Sequence, residues 1–155
     1  MIAVIQRVSA ASVSVDGAIV GHIGPGLAVL AAVHADDTPA DAQWLAGKLL
    51  TLRIFPHADK NFDLDVQAAH GSLLVISNFT VAAETAKGRR PSLNPAAPPD
   101  RARHLFDLLL ASLRHSPVPL ATGAFGQDMQ VSLHNEGPAT FLLDSRTSRP
   151  YTPKV

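Results

Sequence analysis

Two short segments hold the residue types that could do chemistry in this chain. The first, Ser77-Asn78-Phe79-Thr80, ends the apolar run Leu73-Leu74-Val75-Ile76. The second, Asn135-Glu136-Gly137-Pro138-Ala139-Thr140, directly follows the alternating stretch 129–133. Each sets hydroxyls and free backbone N–H groups where a strand gives way to a loop, which suits the binding of a polarised carbonyl. Neither contains a cysteine, and neither offers a strong side-chain base or a set of metal ligands. An enzyme built on them works by positioning and backbone electrostatics.

Within the second segment, Gly137-Pro138 has a specific capability. An X-Pro bond keeps only about 0.5–1 kcal/mol of trans preference, and a glycine before proline lacks the Cβ that restricts other residues there. Such a dipeptide can turn its carbonyl oxygens into a pocket as rigid acceptors for an ammonium group. Gly24-Pro25 is an equally good local match, so the dipeptide carries meaning only through its context. Near the first segment lies the basic cluster Lys87-Gly88-Arg89-Arg90, where Lys87, Arg89 and Arg90 are candidate phosphate contacts. The seven histidines form no i, i+4 ligand pair, and Asp63 and Asp65 stand without further nearby acids. No metal or cofactor is expected, and no Walker, G-x-S-x-G or dinucleotide-binding glycine pattern occurs.

Stepping outward, the elements that must position these segments can be read from periodicity. Ser12–Val15 alternates with period two, Asp16-Gly17 is a hairpin turn, and 18–23 is the returning strand. The unbroken apolar run 27–33 reads as a strand buried on both faces. Thr38 and Pro39 mark a helix start whose inner face holds Trp44, Leu45, Leu49 and Leu52. Short strands are expected at 53–55 and 62–66 around a turn at 56–60, and a buried central strand at 73–79. Residues 82–99, punctuated by Gly88, Pro91, Pro95, Pro98 and Pro99, form a long functional loop. A second helix begins near Asp100, with Ala102, Leu105, Phe106, Leu109 and Leu113 inward. Strands at 118–125, 128–134 and 139–144 complete one α/β domain. Its mixed, partly barrel-like β-sheet is flanked by two principal helices, with 146–155 as a loose tail.

Composition narrows the function classes. The 155 residues carry a formal net charge of zero, so any nucleic-acid contact must be local. The absence of cysteine excludes disulfides and thiolate chemistry and is compatible with the cytoplasm. No apolar run approaches the ~20 residues of a membrane span, and 1–7 lacks a basic region before its apolar stretch, so no secretory signal is evident.

The order of several motifs gives a resemblance over essentially 1–145. The opening Met-Ile-Ala-Val-Ile-Gln-Arg-Val, Ile23-Gly24-Pro25-Gly26-Leu27 and Leu52-Arg53-Ile54-Phe55 are part of it. So are Ser77-Asn78-Phe79-Thr80, Lys87-Gly88-Arg89-Arg90-Pro91-Ser92, Asp128-Met129-Gln130-Val131 and Asn135-x-Gly137-Pro138. Together they resemble the D-aminoacyl-tRNA deacylases, first described as D-tyrosyl-tRNA(Tyr) deacylases. The resemblance implies hydrolysis of the ester between a D-amino acid and the 3′ end of tRNA, in a homodimer with active sites at the interface. It implies that Gly137 and Pro138, flanked by Ala139, form a chiral selector that meets the Ser77–Thr80 motif of the partner. It also implies a cis Gly137-Pro138 bond, an oxyanion-binding N–H near Phe79, and an adenine pocket lined by Met129. Thr80 is either a nucleophile or a positioning group, with positioning preferred because no base lies in either motif. A selector made of backbone is expected to accept many D-amino acids and some glycyl-tRNA. The family's usual glutamine is Asn78 here, and its usual valine is Ala139. The competing readings are a non-catalytic module binding the tRNA 3′ end and a metal-dependent hydrolase of another small ester.

Overall fold

A single strand of 14 residues, β1 (Ile2–Val15), organises the computed structural model, which describes residues 1–148. At Asp16-Gly17 the chain turns with φ of 50° and 81°, the left-handed pair of a tight hairpin, into β2 (Ala18–Ile23). Next, β3 (Gly26–Ala32) runs antiparallel to the first half of β1, pairing Ile2 with Ala32 and Val8 with Gly26. Parallel to β3 lies β6 (Ser72–Ser77), and parallel to β6 lies β7 (Leu120–Thr122). On the remaining edge of β1, β8 (Gln130–Asp144) runs antiparallel from Ser14–Gln130 to Ile2–Asp144. The order is β2-β1-β3-β6-β7, with β8 on β1. The ends of this path curl together: a Cβ on Gly21 of β2 would lie 2.6 Å from the carbonyl oxygen of Thr122, the last residue of β7. Only glycine allows so close an approach.

Two helices cover one face. Helix α1 (Pro39–Thr51) starts after Thr38, whose N–H and hydroxyl both donate to the Asp41 carboxylate at 2.8 Å. Its buried apolar residues are Ala42, Leu45, Ala46 and Leu49, while Trp44, and Leu52 just past its end, pack only partly buried at the margin. Helix α2 (Pro99–Arg114) buries Leu105, Phe106, Leu109, Leu110 and Leu113. Together with Ile5, Leu27, Val29, Leu73 and Val75 these form the main core. The alternate residues Ala28, Leu74 and Ile76 face the other way and pack with Val8, Ala11 and Val13 inside the curl. Burial on both faces accounts for the unbroken apolar runs in β3 and β6.

The structure corrects several sequence expectations. The strands expected at 128–134 and 139–144 are one strand beginning at Gln130, because β1 continues its ladder on both sides of a bulge at 136–139. The short hairpin is β4 (Phe55–His57) and β5 (Lys60–Leu64), turning at Ala58 with φ 52°. The central strand ends at Ser77 rather than Phe79, and Phe79–Ala82 is a 3-10 turn. At the described end, Ser145–Ser148 form another 3-10 turn, with Arg146 paired to Asp144 at 2.7 Å. The rest of the expected tail lies outside the described residues.

Candidate active site

The corner after β6 is built by hydrogen bonds that leave one donor over. The Asn78 N–H still reaches back to the Ala31 carbonyl at 2.8 Å. Its side-chain oxygen then accepts the Thr80 N–H at 3.2 Å and the Thr80 hydroxyl at 2.5 Å. Val81 N–H donates to the Asn78 carbonyl at 3.2 Å. The Phe79 N–H is thereby left with no hydrogen-bond partner among the described residues. The Thr80 hydroxyl, meanwhile, spends its proton on a neutral amide.

This corner forms one border of a cavity of about 750 Å³ at the C-terminal ends of β3, β6 and β7, the end of a parallel array where ligands commonly bind. Leu30–Val33 and Ile76 form the floor, Ser77–Phe79 one border and Phe125–Met129 another. Leu93–Pro99 and the first turns of α2 make the remaining wall. A volume of this size suits a nucleoside-sized ligand. Asn94, Gln127 and Asp128 bring polar groups to the otherwise apolar lining. The Leu93–Pro99 wall is pinned to β3 and the residues after it: Ala35 N–H donates to the Pro95 carbonyl and Ala97 N–H to the Val33 carbonyl, both at 2.9 Å. His34, almost fully buried, adds its Nδ1 at 3.3 Å from the Pro95 carbonyl. Burial, and then the charge of Arg146, hold the His34 pKa below the ordinary histidine value.

The second motif stands on the edge strand. Between the pairs Val8–Asn135 and Gln6–Thr140, residues 136–139 bulge out of β8 opposite Arg7. Asn135 closes the neck: its Oδ1 accepts the Ala139 N–H and its Nδ2 donates to the Thr140 hydroxyl, both at 2.9 Å. Arg7, only 7% exposed, reaches three segments. Its Nη1 donates to the carbonyls of Ile54 (2.8 Å) and Asn61 (3.3 Å), and its Nε to that of Glu136 (3.3 Å). Phe62 lies under this guanidinium at 5.9 Å and meets Phe141 edge-on. The Gly137-Pro138 bond is cis, and Gly137 has φ 122°. A Cβ there would lie 2.9 Å from Arg7 Nη2. Glu136, Gly137 and Pro138 are exposed, whereas Ala139 is buried.

The model of the family described as D-Tyr-tRNA(Tyr) deacylase matches residues 4–144. The chain belongs to that family. A D-aminoacyl-tRNA deacylase of Geobacter sulfurreducens is 50% identical over 147 residues, 95% of this chain and 97% of that protein. Another, of Escherichia coli, is 50% identical over 143 residues, 92% of this chain and 99% of its own length. A solved structure titled c-Myc DNA Unwinding Element Binding Protein superposes with a TM-score of 0.87 at 33% identity, over 93% of this chain and 98% of that one. A probable eukaryotic D-amino acid tRNA deacylase, at 18% identity and a TM-score of 0.79, shares the fold over 92% of this chain and 97% of its own.

Of the residues singled out from the sequence, Ser77, Asn78, Phe79 and Met129 meet in the cavity. Thr80 is exposed beside it, and Gly137, Pro138 and Ala139 do not line it. Lys87, Arg89 and Arg90 are exposed in the loop that the Glu84–Ser92 bridge closes. Sequence reasoning missed Arg7 and Asn135 as the residues that hold the Gly137-Pro138 bulge. Arg7 occupies an inward position in the alternation Ala3, Ile5, Arg7. A charge at a core-facing place in a strand was the available signal.

Proposed function

We propose that the protein hydrolyses the ester joining a D-amino acid to the 3′-terminal adenosine of tRNA, releasing the free amino acid and the tRNA. Membership of the deacylase family supports this reading. The observation that carries it is the unpartnered Phe79 N–H on the border of a nucleoside-sized apolar cavity. With adenine beside Met129, the ester carbonyl lies against that N–H. Water attacks the carbonyl carbon, the N–H takes the charge developing on oxygen, and the ribose oxygen leaves with a proton. One well-placed donor of this kind contributes about 10²–10³ in rate, and fixing the water adds to it. An aminoacyl ester is activated enough for this. Thr80 acts as a positioning group, since its hydroxyl donates to Asn78 and has no base among its partners.

The selector belongs to a second copy of the chain. Gly137 and Pro138 stand clear of their own cavity, while Phe79 is 59% and Leu142 63% exposed, leaving apolar surface for a partner. In the homodimer, the partner's Gly-Pro carbonyls accept the ammonium group of the D-amino acid and leave no space for an L side chain. Glycine, having no side chain, escapes this test, so some glycyl-tRNA is cleaved too. The substrate puts the protein with the translation machinery of the cytoplasm.

The test is loss of the ester from D-tyrosyl-tRNA and L-tyrosyl-tRNA in parallel. Rapid loss from the D-ester alone is the expected result. Loss from both would sink the selector, and tight binding with no loss from either would make the protein a binding module.

A further inference from the structure

We propose that Arg103 grips an RNA phosphate at the mouth of the cavity, the phosphodiester on the 5′ side of the nucleoside seated within. The inference rests on the cavity being the seat of the terminal nucleoside. Arg103 lies on α2 next to Ala102 and one turn before Phe106, both of which line the cavity, yet it is exposed and lines none of it itself. Its guanidinium lies 4.5 Å from the centroid of Phe125. That ring lines the cavity and packs against Phe106 at 5.7 Å. The cation is thus laid over a wall of the cavity, on its outer side.

Its donors are almost unused. One Nη2 contact to the Phe125 carbonyl, at 3.4 Å, is long, and no carboxylate lies within 4.0 Å among the described residues. Four other arginines are spent: Arg53 and Arg146 on carboxylates, Arg7 and Arg101 on backbone carbonyls. Stacking on an aromatic face fixes the plane of a guanidinium while leaving its edge free for a bidentate contact with phosphate.

Geometry supplies the ligand. A nucleoside with its 3′ ester at Phe79 must send its 5′ oxygen out of the cavity toward the next nucleotide. Asp128, on the Phe125–Met129 border, repels a phosphate from the interior, whereas Arg103 attracts one just outside it. The occupant is therefore the single-stranded acceptor end of RNA.

The experiment compares kcat/KM on D-tyrosyl-tRNA with kcat/KM on D-tyrosyl-adenosine, which has the same ester and no phosphate. In Arg103→Met, which still covers the Phe125 ring but carries no charge, the ratio of the two is expected to fall about tenfold. The slope of log(kcat/KM) on tRNA against log salt should weaken by about 0.7. Arg103→Lys should keep the slope and recover part of the ratio. An unchanged ratio in Arg103→Met, or equal losses on both substrates, would overturn the phosphate contact. Wild-type protein that cleaves neither ester would instead bring down the deacylase reading, and this inference with it.

Discussion

The Ser77–Thr80 corner and the 136–139 bulge are both places where a strand yields to irregular backbone, yet they are held by opposite means. The corner ends a strand buried on both faces, and its geometry follows from Leu73–Ile76 lying in the core and from a neutral amide cap. The bulge sits on an edge strand with three exposed residues, tethered by one buried guanidinium and one asparagine side chain. The corner inherits rigidity from packing, while the bulge depends on a few charged and polar contacts. A donor for a developing charge must not move, whereas a motif meant to enter another molecule's cavity must stand out from its own. Each construction fits the role proposed for it.

The contrast can be broken most sharply at Phe79. Phe79→Pro removes the free N–H at the first position of a turn, where proline is tolerated. It should lower kcat about 10²–10³-fold, while Phe79→Ala, which keeps the N–H, should act mainly on KM. Equal kcat losses in single-turnover assays would remove the oxyanion role. Next in size is Gly137→Ala, whose Cβ would crowd Arg7 Nη2 at 2.9 Å with φ at 122°. Backbone strain of about 1–3 kcal/mol predicts a loss of roughly 5- to 150-fold in D-ester cleavage. Mixing it with Phe79→Pro should restore roughly a quarter of wild-type activity if sites are shared across a two-fold dimer. Failure to restore any would argue for sites within one chain.

Arg7→Met should cost about 1–3 kcal/mol, because it strands the buried carbonyl of Ile54 and removes the donor to the Asn61 carbonyl. A fall in Tm with no loss of D-over-L preference would separate stability from selector geometry. At the corner, Asn78→Ala removes the acceptor for the Thr80 N–H and hydroxyl and should slow cleavage about 5- to 10-fold. Asn78→Gln should leave D-selectivity intact, and an altered chiral preference would reassign that side chain. The smallest effect concerns pH. Because folding lowers the His34 pKa, the unfolded chain binds the extra proton first, and stability falls as pH drops below about 6.5. The resulting fall in Tm between pH 7.5 and 5.5 should shrink in His34→Gln.

The corner was legible in the sequence because its cause is local: an apolar run ends, and hydroxyl and amide residues follow. The helix faces were readable for the same reason, apart from Trp44, which lies at the margin of the core, and Leu52, which falls past the end of α1 in extended backbone. The continuity of β8 was not legible, since Gly137-Pro138 looks like a strand terminator. Only pairing to a 14-residue β1 carries the strand past it. Arg7 was hidden because its value lies in carbonyls 47 and 129 residues away. The meeting of Arg103 with Phe125, from a helix and a loop 22 residues apart, was hidden likewise.

Pro95, Pro98 and Pro99 first appear as residues that deny the 82–99 segment a helix or strand. In the fold, Pro98 and Pro99 line the cavity, and the Pro95 carbonyl pins the same wall to His34 and Ala35. Proline rings fix φ, so this wall has few conformations to surrender when a ligand arrives. The nucleoside proposed to bind here would therefore meet a surface already in its bound shape, and little of its modest binding energy would be lost to ordering the protein.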